Sequence, residues 1–137
     1  MSKMRCSCGH AISDSNCPCP TEASVIGDVA YDMFDDLFTK RVDLFLDAVR
    51  EGRRRQWIDA ELTSQYPDQC TDGDVISTLL SSCLMDHCLS LAECPQCGRL
   101  WIQRGIGVNK YRAFSPDEPG FEGHLAAEPT NVSQDDG

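Results

Sequence analysis

Between residues 28 and 50, apolar side chains recur at three- and four-residue steps: Val29, Met33, Phe34, Leu37, Phe38, Val42, Phe45, Leu46 and Val49. That is the period of one face of an α-helix, and Asp35, Asp36, Lys40, Asp43, Asp47 and Arg50 fall mostly on the other face. The pattern predicts a core-facing helix of about 22 residues, roughly 33 Å long at 1.5 Å per residue. Asp28 is placed to cap its start and Gly52 to stop it. A shorter helix should follow, with Trp57, Ile58 and Leu62 turned inward, until Tyr66-Pro67-Asp68 breaks it. A third should start at Thr71 or Asp72. Its stripe is Val75-Ile76, Leu79-Leu80, Cys83-Leu84, His87-Cys88 and Leu91, and it runs directly towards Cys94.

The flanks follow a different pattern. Residues 2–13 read as a short hairpin, and residues 14–24, with Asp14-Ser15-Asn16 and two prolines, as loop. Leu100–Gln103 and Lys110–Phe114, joined by Gly105-Ile106-Gly107-Val108-Asn109, make a closing hairpin. From Ser115 onward no periodicity survives, and residues 116–137 read as an acidic disordered tail. The expected fold is α+β: two β-hairpins in a domain over 1–115, with an insert of about three helices over roughly 25–92.

Each hairpin carries a pair of cysteines in a tight turn: Cys6-Ser7-Cys8-Gly9 and Cys94-Pro95-Gln96-Cys97-Gly98. A glycine after the second cysteine suits a turn that needs positive φ and lets backbone N–H groups point at the sulfurs. The two-residue gap of the second pair is standard zinc-ligand spacing, and Pro95 pre-sets its turn. The first pair is one residue tighter. Cys17-Pro18-Cys19-Pro20 is a rival, but it lacks the glycine, and Pro20 removes an N–H that such a turn would aim at sulfur. The expected ligands are therefore Cys6, Cys8, Cys94 and Cys97, around a structural Zn2+. Four thiolates close the coordination sphere and leave no position for a reactive water.

Over residues 2–13 and 94–115 the chain resembles the zinc-ribbon class, and its second cysteine turn is similar to that of rubredoxins. The general arrangement resembles small bacterial proteins in which an acidic helical region separates two ribbon hairpins. This resemblance implies a metal but no particular function. Rubredoxins carry a Cys-x-x-Cys-Gly first turn; the single residue between Cys6 and Cys8 departs from it and argues against iron-based electron transfer.

Nine cysteines in 137 residues raise the alternative of a secreted disulfide scaffold. Against it stand the odd number, the metal-like spacing and a start, Met1-Ser-Lys-Met-Arg-Cys, without the apolar core of a signal peptide. The expectation is a cytoplasmic chain, and no apolar run is long enough to span a membrane. Cys83 and Cys88, with His87, sit in an apolar stripe and read as core. Cys17, Cys19 and Cys70 would need His10 or His124 to complete a second metal site, and otherwise read as loop cysteines.

The net charge is −10, and residues 116–137 hold six acidic residues with no lysine or arginine. Phosphate binding rests on basic surface, so nucleic acid is an unfavoured ligand and a protein partner with a basic surface a favoured one. Arg53-Arg54-Arg55 is expected to pair with nearby carboxylates. No nucleophile–base set, phosphate loop or His-Glu-x-x-His is present, so no enzyme is expected. The reading is a non-enzymatic zinc-binding protein acting through protein–protein interaction, in one form an immunity or antidote protein for a basic toxin. Its competitors are a nucleic-acid-binding ribbon using Lys3, Arg5, Arg99, Arg104, Lys110 and Arg112 with Trp101 or Tyr111, and a rubredoxin-like iron carrier on the same thiols.

Overall fold

The computed structural model describes residues 3–13 and 16–129. The fold is α+β, with three α-helices and two antiparallel sheets. It divides into two compact units: Met1–Val25 with Leu89–Gly137, and Ile26–Cys88.

In the helical unit, α1 spans Asp28–Arg50, α2 Arg54–Glu61 and α3 Asp72–Met85. The periodic stripe is realised where it closes a core: Phe45 from α1, Ile58 from α2, and Val75 and Leu79 from α3 are all fully buried against one another. Trp57 packs its ring on Phe45 at 5.2 Å between centroids. The stripe is not buried along its whole length. Val29, Met33 and Leu37 are exposed, because the buried residues of α1 begin at Phe34 and the core closes only near Phe45.

The helix ends are set locally. Gly27, not Asp28, is the N-cap of α1, and it makes no side-chain cap. Asp28 stands one position later, in the first turn, where its charge meets the positive end of the helix dipole. At the other end Gly52 N–H donates to the Val49 carbonyl and Arg53 N–H to the Ala48 carbonyl, with φ of 72° at Gly52. That is a Schellman stop, which favours glycine at this position. Thr71 caps α3 in a reciprocal box with Asp74, satisfying two backbone donors that the first turn leaves open. The three arginines are paired as expected: Arg53 with Glu51, Arg54 with Asp72, Arg55 with Asp59 and Asp68.

The β-unit holds a two-stranded sheet, β1 (Lys3–Arg5) with β2 (Ala11–Ser13), and a four-stranded sheet ordered β3 (Glu22–Val25), β4 (Leu89–Glu93), β5 (Leu100–Gln103), β6 (Tyr111–Phe114). Two of these strands correct the sequence reading. Glu22–Val25, within and just past the expected loop, pairs with β4 from Glu22↔Ala92 to Val25↔Leu89. Leu89–Glu93, read as the continuation of the third helix, is a strand bonded on both sides. Leu89 and Leu91 alternate with Ser90, a period of two that a short apolar run shares with a helix stripe, and two ladders outweigh a further helical turn.

Residues paired across an antiparallel sheet share a face. Ala92, Trp101 and Ala113 form one row, and Glu93, Leu100 and Phe114 the row on the opposite face. Ala92 and Trp101 pack with Cys6, Ile12, Cys94, Met4 and Cys97 in the core of this unit. Of the stretch read as a tail, residues 116–129 are described and include a 3₁₀ turn at His124–Ala126; residues 130–137, with Asp14 and Ser15, lie outside the described residues.

Candidate metal centre

Two turns of the same design present the thiols. In the first, Cys6 N–H donates to the His10 carbonyl at 2.9 Å and the Cys6 carbonyl accepts from Gly9 N–H at 2.9 Å. In the second, Cys94 N–H donates to the Arg99 carbonyl at 2.8 Å and the Cys94 carbonyl accepts from Gly98 N–H at 2.9 Å. The first turn is closed one residue earlier, which is how Cys-x-Cys does the work of Cys-x-x-Cys. Both depend on glycine, with φ of 96° at Gly9 and 79° at Gly98, where a Cβ is strained.

The turns face each other crosswise. Cys6 Sγ lies 3.5 Å from Cys97 Sγ, and Cys8 Sγ 3.7 Å from Cys94 Sγ. All four sulfurs lie within 4.8 Å of one another. None is in a disulfide. Metal–sulfur bonds of about 2.3 Å in a tetrahedron place sulfurs roughly 3.8 Å apart, so the four cysteines can hold a metal ion with small adjustments.

The surroundings fit sulfurs that carry charge. Burial pushes the Cys6 thiol up, yet the Cys8 backbone N–H, the Trp101 indole and the neighbouring thiols outweigh it and hold Cys6 at about 6. Trp101 Nε1 is buried without a conventional hydrogen-bond partner; the sulfur it lowers is the group it serves. Burial, together with hydrogen bonding to the Cys8 and Cys97 thiols, outweighs the Cys97 and Gln96 backbone N–H groups and pushes the Cys94 thiol up to about 12. The Arg99 guanidinium donates to Cys97 Sγ at 3.8 Å and to Ser115 Oγ at 3.1 Å. Four gathered thiols, of which Cys6 and Cys94 are buried, have around them N–H donors and one guanidinium, too little positive charge for all four to be ionised together. A bound cation would supply it.

The chain belongs to the DUF8617 family. The family model, described as a domain of unknown function, matches residues 2–118 and so includes both cysteine turns and all three helices. No curated protein and no solved structure matches the chain.

The remaining cysteines stand apart from this set. Cys19 contacts Thr21 Oγ1 at 3.4 Å and the Ser13 carbonyl at 3.9 Å, and Cys17 is exposed. Cys70 lies in the helical unit, 3.6 Å from the Arg54 guanidinium. Among the described residues, no other group of three or more histidines, cysteines or carboxylates is drawn together as closely as the four thiols. Cys83 is 1 % exposed, and His87 Nδ1–H donates to its carbonyl at 2.7 Å. Changing Cys83 to Ala should cost about 1 kcal/mol, as for a small core side chain, and leave metal content unchanged; denaturant midpoints and elemental analysis check both.

Sequence reasoning did not find Arg99 as a partner of the thiols, having grouped it with the basic residues of the hairpins. Its sequence context groups Trp101 there too, as a stacking platform. Its position in the row facing the thiols could have been read from strand alternation once β4 was recognised as a strand.

Proposed function

We propose that this chain is a non-enzymatic protein that binds one structural zinc at Cys6, Cys8, Cys94 and Cys97 and acts by binding a protein with a basic surface. Zinc is favoured over iron by the tighter first turn, and four thiolates around it leave no open position for chemistry. Visible absorption of the purified protein separates the two metals, since ferric tetrathiolate is coloured and zinc is not. No helix of the described residues is long and apolar enough to cross a membrane, which suits a partner met in water.

The observation that carries the partner reading is α1. Asp28, Asp32, Asp35, Asp36, Asp43 and Asp47 are all exposed on it, and among the described residues only Asp47 is engaged in an ion pair, with Arg50 at 3.2 Å. Val29, Met33 and Leu37 are exposed among them. Apolar side chains supply buried area in a complex, while a surrounding field of one sign steers an oppositely charged partner and raises its on-rate. An immunity or antidote protein that covers a basic toxin is one specific form of this reading.

The test pairs capture from the native host with a charge-reversed variant, Asp35→Lys with Asp36→Lys. A basic protein should bind the original chain rapidly at low salt and more slowly as salt shortens the Debye length below about 10 Å. The reversed variant should lose at least about tenfold in on-rate while keeping its helical circular dichroism. Recovery of nucleic acid instead, abolished by Arg104→Ala with Arg112→Ala and indifferent to the aspartates, would overturn the reading in favour of the nucleic-acid-binding ribbon.

A further inference from the structure

The face of the four-stranded sheet opposite Ala92 and Trp101 carries an unusual group. Glu93 is 3 % exposed, and its Oε1 is buried without a hydrogen-bond partner. An uncompensated buried carboxylate is unfavourable, so such an atom calls for a donor from outside. The strand register puts the Glu93 side chain on the same face as Leu100 and Phe114. There, residues beyond β6 complete a cup of about 250 Å³ lined by Glu93, Leu100, Phe114, Glu118, Glu122 and Leu125.

We propose that this cup binds an arginine side chain presented by a protein partner. Three carboxylates line it, and the His124 imidazole Nε2 lies 2.6 Å from Glu122 Oε2. Glu118 takes part in no ion pair among the described residues. The walls contributed by Leu100, Phe114 and Leu125 are apolar and suit the methylene stem of a long side chain.

The shape of the charge selects the ligand. Only the thiols form a tightly gathered metal-capable set among the described residues, so these carboxylates are too dispersed for a small divalent ion. A planar guanidinium with five donors can serve separated acceptors at once. It is also more weakly hydrated than an ammonium and enters a half-closed, partly apolar site more readily. Arg112 stands over the Phe114 ring at 5.4 Å and Arg99 donates to Ser115 Oγ at 3.1 Å, and neither pairs with Glu93 Oε1. Binding in this cup does not rest on the acidic residues of α1.

The test is an amide-shift titration of the isotope-labelled full chain, as isolated, with N-acetyl-arginine methylamide. Its lysine counterpart and its uncharged citrulline counterpart serve as comparisons. The arginine compound should give saturable shifts at Glu93, Leu100, Phe114 and Leu125, the lysine compound weaker ones and citrulline none. Glu93→Gln should weaken binding at least about tenfold, and Glu118→Gln about threefold; the second variant, at an exposed site, decides the matter should the first not fold. Equal shifts from citrulline or lysine, unchanged affinity in a folded Glu93→Gln variant or in Glu118→Gln, or shifts confined to α1 would each overturn the proposal.

Discussion

Serine at both Cys94 and Cys97 should reduce bound zinc from about one per chain to none and unfold the β-unit. The expectation follows from how little else holds that unit. The strands of its smaller sheet are three residues each, well short of an independently stable hairpin. Of the four buried residues in its core, Cys6, Ile12, Ala92 and Cys94, two are themselves proposed ligands. A structural zinc contributes about 10 kcal/mol or more, comparable to the whole stability of a small domain. The helical unit has its own core of Phe45, Ile58, Val75 and Leu79 and should keep its helical circular dichroism. Elemental analysis after gel filtration, with Trp101 emission for the β-unit, checks the result. Full metal content in the double variant would show that other residues hold the ion.

The parts that sequence made legible are those written in local chemistry. Cys94-Pro-Gln-Cys97-Gly98 announces its turn because spacing, proline and glycine all act within five residues, and Gly98 does adopt the positive φ that the motif requires. Cys6-Ser-Cys8-Gly9 is legible for the same reason. The buried Phe45, Ile58, Val75 and Leu79 were all marked by helical periodicity. Legibility fails where a partner distant in sequence decides. Leu91 fits a helix stripe and a strand equally well, and pairing with Ala23 and Ile102 settles it. Val29, Met33 and Leu37 belong to the stripe by period, but period does not say how far along a helix the core extends. Glu93 is the plainest case. Nothing local distinguishes it from any other acidic residue, and its burial comes from its place in an inner strand, under residues that follow β6.

Gly98 and Gly9 look equivalent in sequence, yet alanine at the two positions should have unequal costs. Both have positive φ, so each substitution carries a strain of about 1–2 kcal/mol. A Cβ on Gly9 meets nothing within 4 Å, whereas one on Gly98 would fall 2.0 Å from the Gly120 carbonyl oxygen. That contact sets a Cβ against backbone, and relief requires the segment around Gly120 or the second cysteine turn to move. Overpacking of this kind adds about 1–3 kcal/mol. Gly98→Ala should therefore destabilise the β-unit by roughly 2–5 kcal/mol, and it should release zinc to a chelator sooner than Gly9→Ala does. Truncation after residue 117 supplies the control, because it removes Gly120. In the truncated chain the penalty of Gly98→Ala should shrink to that of Gly9→Ala, and the difference between the two backgrounds is the coupling energy. Denaturant midpoints for the glycine variants in full-length and truncated chains measure it. A coupling of zero would mean that the segment bearing Gly120 does not rest on the metal-binding turn in solution.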